Sequence, residues 1–158
     1  MVCQVLSRRF RMETCAVFLV VALIAVACSQ YERMLSFDPQ ATAFYSVYIL
    51  ICGVLGYCFA GWYTVSDTSW FETVSVPVAI ALLSSTGASL FWLTLDAIGG
   101  RAPDPYTAFL GAMLLAVKLL VMTGLLTMLI GICASIALGF RARTTAGVGP
   151  NKTMEPTR

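Results

Sequence analysis

Residues Tyr106–Phe140 read YTAFLGAMLLAVKLLVMTGLLTMLIGICASIALGF, with a single charge, Lys118, and no proline. As one helix this stretch is about 52 Å long at 1.5 Å rise per residue, well beyond a bilayer core of about 30 Å. Thr123, Thr127, Gly131, Ser135 and Gly139 recur at every fourth position and therefore share one helix face. Between helices in lipid there is little hydrophobic drive, and small residues let backbones approach closely enough for dispersion and hydrogen bonding to act. The stripe predicts a packing seam with another helix lying in it.

The rest of the chain has the same character. Of its 158 residues, 59% are hydrophobic and 11% charged, where soluble domains carry about 25% charged residues. A net charge of +2, with the basic residues at the chain ends, gives no footprint for nucleic acid. The sequence contains no histidine, which removes histidine-ligated haem, zinc, copper and iron sites and any Ser-His-Asp triad. The six cysteines, Cys3, Cys15, Cys28, Cys52, Cys58 and Cys133, form no CxxC and fall almost entirely in apolar runs. There they read as small hydrophobes. No cofactor is expected.

Four spans follow from the pattern, at about 14–29, 42–62, 70–95 and 106–140, and the fold class is an all-α integral membrane four-helix bundle. Residues 1–13 carry Arg8, Arg9 and Arg11 ahead of the first apolar run, a layout shared by signal peptides and first transmembrane helices. Ala25-Val26-Ala27-Cys28 resembles a lipobox with Ala25 in place of the usual leucine; an uncleaved helix is the preferred reading. Asp38-Pro39 and Asp104-Pro105 each read as an N-cap followed by a first-turn proline, and the related starts DPQATAF and DPYTAF read as convergent capping. Ser69 and Glu72 fit a capping box for the third span, which Pro77 should kink. Span two has small residues at Cys52, Gly56 and Ala60. Span three has the run Ser84–Ser89, read as interhelical packing or, alternatively, as the lining of a wet cavity.

The polar end after Phe140 is expected to be a disordered cytoplasmic tail, 141–158. Its last nine residues, Pro150-Asn151-Lys152-Thr153-Met154-Glu155-Pro156-Thr157-Arg158, resemble translated DNA of an integron recombination site. That resemblance implies a bacterial mobile cassette as the origin of the gene and nothing about activity. Basic residues concentrate before the first span and after the last, so the positive-inside rule puts both termini in the cytoplasm. The expected location is the bacterial inner membrane.

Lys118 is the principal candidate for function, because a lysine at mid-bilayer costs several kcal/mol and usually pairs, snorkels or serves a pathway. Leu119–Phe140 is long enough to fill the bilayer alone. Lys118 would then mark the outer border, with Tyr106–Val117 projecting or bending at Gly111. The alternative keeps Lys118 in the outer leaflet, paired with Asp96 or contacting a solute. The leading function is a non-enzymatic accessory or homo-oligomeric membrane subunit acting through helix packing on itself or on another membrane protein. The second reading is a small transporter or channel for a small, anionic solute, and an enzyme comes last for want of any acid–base set.

Overall fold

The computed structural model describes residues 2–30, 39–64, 70–100 and 104–145. Among these the regular structure is entirely helical: α1 (Val2–Ser29), α2 (Pro39–Phe59) with a 3-10 turn at Ala60–Thr64, α3 (Trp70–Ile98), α4 (Pro105–Leu119), a π-helical turn at Leu120–Gly124, and α5 (Leu125–Thr145). Four helices are long and apolar enough to cross a membrane, over Arg8–Ser29, Gln40–Trp62, Thr73–Ile98 and Pro105–Arg141. The fourth of these spans comprises α4, the π turn and most of α5.

The spans pack as a ring. α1 lies beside α2, α2 beside α3, and α3 beside both halves of span four; α5 then returns to α1. The interior is filled by Phe18, Val26, Tyr48, Cys52, Val76 and Ile80, all buried. The α1–α2 approach is set by glycine. A Cβ at Gly53 would stand 2.6 Å from Leu19 Cδ2, and one at Gly56 would stand 2.9 Å from Phe18 Cδ2. At one end of the bundle, the Arg141 end, Arg141 pairs with Glu13 at 3.5 Å.

Several element boundaries differ from the sequence pattern. α1 begins at Val2, so the segment 1–13 is continuous with the first span from Val2 on, since neither glycine nor proline interrupts it. α5 runs to Thr145, so the tail expected from 141 starts as helix; residues 146–158 lie outside the described residues. α3 passes through Pro77 as one assigned helix and ends at Gly99–Gly100, where Gly100 takes a positive φ of 66°. Its N-terminal capping box rests on Ser69, outside the described residues, as does the Asp38 cap of α2.

The second cap is visible. Asp104 accepts from the Thr107 amide at 3.1 Å and from the Thr107 hydroxyl at 2.6 Å, with Pro105 opening α4. These bonds stabilise the charged carboxylate and lower the Asp104 pKa. For Tyr106–Val117, expected to project or to bend at Gly111, no interruption of the helix marks a bend, since α4 continues through Gly111 without a break. The irregularity lies at Leu120–Gly124 instead, where the Leu125 amide reaches back to the Leu120 carbonyl. A π turn is wider than an α turn. Thr123 and Gly124, within this turn, are both buried.

Candidate functional site

Four of the five small residues on span four face the chain's own helices. The Thr123 and Ser29 hydroxyls lie 3.0 Å apart, joining span four to α1. The Tyr48 hydroxyl of α2 donates to the Thr127 hydroxyl at 3.0 Å, and Thr127 donates in turn to the Thr123 carbonyl at 3.0 Å. At Gly131 a Cβ would stand 3.1 Å from Pro77 Cβ of α3 and 3.5 Å from Phe18 Cε1 of α1. Ser135 is fully buried. Gly139 differs from the other four, because a Cβ there would meet nothing within 4 Å.

These contacts belong to a column of buried hydroxyls in the half of the bundle nearer Pro105. From that end inward, Ser29–Thr123 is followed by Tyr48–Thr127, and then by the Cys52 thiol donating to Ser84 at 3.1 Å. Ser85 and Ser89 bond their own i−4 carbonyls, Ala81 at 2.8 Å and Ser85 at 2.9 Å. Ser85 Oγ lies on the π turn, 3.4 Å from where a Gly124 Cβ would be. Toward the Arg141 end these pairs give way to Phe18, Val76, Pro77 and Ile80, all buried and apolar, with the buried hydroxyls of Thr14 and Ser135 beyond them. Among the described residues every buried side-chain nitrogen and oxygen has a hydrogen-bond partner.

The chemistry of this column is that of hydroxyls, one phenol and one thiol. Its members join neighbouring helices or satisfy helix carbonyls, and no carboxylate or imidazole stands among them to take a proton. No three of the metal-ligating side chains converge among the described residues. Tyr48, Cys52, Ser29 and Gln30 were not singled out from sequence as members of a polar site. A signal existed for Tyr48: a phenol near the centre of an apolar run must find a partner when buried.

Lys118 and Asp96 are not brought together as an ion pair; the only ion pair among the described residues is Arg141–Glu13. Lys118 is exposed and lies on the last turn of α4. It borders a cleft of about 50 Å³ with Gln30, Phe44, Tyr45, Leu115 and Met122. Asp96 is half-buried near the end of α3. A second cleft of about 350 Å³ opens between α3 and α4, lined by Ser85, Ser89, Leu90, Phe109, Met113 and Val117 among others. It is the wider of the two and almost wholly apolar, because the serine hydroxyls on its wall turn back to their own helix.

The chain matches no protein-family model, no curated protein and no solved structure.

Proposed function

We propose that the chain is a four-span protein of the bacterial inner membrane with both termini in the cytoplasm, and that it acts as a non-enzymatic accessory or homo-oligomeric subunit through helix packing. The observation that carries this reading is the pairing of core polar groups across helices, Ser29 with Thr123, Tyr48 with Thr127 and Cys52 with Ser84. Polar groups so engaged hold a bundle together. Four of the five stripe residues, Thr123, Thr127, Gly131 and Ser135, face the chain's own helices, so association uses another surface. The apolar face of α4 supplies one: Tyr106, Phe109, Leu110, Met113 and Leu114 are all exposed. Leu114→Lys combined with Leu110→Lys should reduce the complex to monomers in mild detergent, read by light scattering. A native protein that is monomeric and crosslinks to nothing through a cysteine at 110 or 114 would refute the reading. Reporter fusions after Arg143 and at residue 67 should report cytoplasm, and fusions at residues 35 and 102 periplasm.

A small transporter or channel for an anionic solute is the second reading, favoured by the cleft that reaches Lys118 at the head of the hydroxyl column. In a background without native cysteines, Lys118→Cys should react with a membrane-impermeant thiol reagent added outside spheroplasts. Thr123→Cys and Thr127→Cys should stay unlabelled if the column is dry packing. Labelling at all three positions favours the transporter.

A further inference from the structure

We propose that the cleft beside Lys118 is an oxyanion site, in which the Lys118 ammonium and the Gln30 side-chain amide hold a phosphate or carboxylate group. The cleft lies beyond the end of α1, beside span four. α1 ends at Ser29, which is level with Thr123, while span four continues five more residues to Lys118, about 7.5 Å further along the axis. Gln30 therefore forms the floor, α2 supplies Phe44 and Tyr45 as one wall, and span four supplies the other. A space of about 50 Å³ is several times the roughly 10–15 Å³ that one water needs, so it admits a group of a few heavy atoms.

Two features specify the charge of that group. Gln30 is only 8% exposed, yet its amide nitrogen donates to the Met122 thioether at 3.9 Å. Sulfur of this kind is a weak acceptor, so a buried donor stands ready for a stronger one. Lys118 supplies the positive charge, and among the described residues no carboxylate pairs with it. The exposed Lys118 ammonium borders the same cleft as Phe44, Leu115 and Met122, so an anionic group seated there can pair with it while meeting the Gln30 amide. A cation there would be repelled by the ammonium. An oxyanion answers both donors at once through charge-assisted hydrogen bonds.

The oxyanion has two sources, the phosphate of a lipid headgroup or a free phosphate or carboxylate solute. The assignment rests on neither functional reading above. The test uses the full-length protein in neutral detergent, with thermal unfolding followed in sodium phosphate against sodium chloride at equal ionic strength. A parallel series adds phosphatidylglycerol against diacylglycerol, which lacks the phosphate. At about five times its dissociation constant, the bound oxyanion should raise Tm by roughly 2–4 °C. Lys118→Gln and Gln30→Leu should each abolish the rise, whereas Lys118→Arg, which keeps the charge, should retain it. A rise with inorganic phosphate identifies the free oxyanion; a rise with phosphatidylglycerol alone identifies the headgroup. No rise in either series, or a rise that survives in both Lys118→Gln and Gln30→Leu, overturns the proposal.

Discussion

The two halves of span four are both apolar, the rim half α4 the more so, and they behave in opposite ways. α5 presents Thr127, Gly131 and Ser135 to its neighbours, and the side chains of Phe18 from α1 and Pro77 from α3 close on it at Gly131. α4 leans chiefly on α3 and keeps Phe109, Leu110, Met113, Leu114 and Val117 exposed, with only Ala112 and Leu119 buried. Total hydrophobicity does not decide which half enters the bundle. Side-chain size does. Where small residues recur at every fourth position, neighbouring helices can approach to contact; where bulky ones occupy the corresponding face, the helix stays on the rim.

The strongest way to break this comparison is to put the same bulk into each half. Gly131→Leu should destabilise by about 1–3 kcal/mol or more, since the new side chain must displace Pro77 and Phe18. Gly111→Leu meets open space and should be neutral, or stabilising by up to about 1 kcal/mol through helix propensity. Leu129→Ile, on the exposed face of α5, should change little. Unfolding in mild detergent measures all three, and equal losses at 131 and 111 would end the distinction between the halves.

A smaller effect tests whether the hydroxyl column contributes to the packed half. Tyr48→Phe removes the bond to Thr127 but leaves Thr127 its bond to the Thr123 carbonyl, so no orphan is created. The expected loss is about 0.6 kcal/mol and at most about 1.7. Thr86→Val is the control on the rim, because Thr86 is exposed and bonds only its own helix at Leu82; it should cost less than Tyr48→Phe. The reverse order would show the column to be incidental.

The smallest effect belongs to the start of the rim helix and depends on pH. The Asp104 carboxylate has a folded pKa below its unfolded value because Thr107 donates to it. Its contribution is complete above the unfolded value of about 3.9 and is lost as pH falls through the lower folded value. Hydrogen exchange at the first turn of α4 should therefore quicken in acid, after correction for intrinsic rates. Asp104→Asn, which cannot ionise, should remove that pH dependence while keeping a cap. An unchanged acid response in the variant would assign the effect to another group.

Much of the architecture was legible in the sequence for physical reasons. Four apolar runs of spanning length, separated by Gly, Pro and charged residues, leave few alternatives to four helices, and Asp104-Pro105 marks a helix start through local chemistry alone. The face carrying Thr123, Thr127, Gly131 and Ser135 was readable because periodicity fixes direction. Gly139 shows the limit, since it shares the periodicity without a close neighbour. The partners across the seam were not readable. That Thr123 meets Ser29 and Thr127 meets Tyr48 depends on the relative heights of three helices, which no single helix encodes. The π turn was hidden for a related reason: nothing in Leu120–Gly124 forbids an α-helix, and the widened turn reflects the fit to α1 and α3. The cleft at Lys118 was also out of reach, because it depends on how Gln30, α2 and span four are placed against one another.

The Ser29–Thr123 contact also carries a consequence in time. Its two residues are 94 positions apart in the chain, and ribosomes add about 5–20 residues per second. By that rate, roughly 5–20 s pass between the emergence of Ser29 and that of its partner. Once α2 has been made, the first two helices can pair through Leu19 and Phe18 against Gly53 and Gly56, with one flank still open until span four arrives. The ring closes only when the last helix is delivered, so the nascent protein spends most of its synthesis as an unfinished surface that any other newly made helix could occupy first.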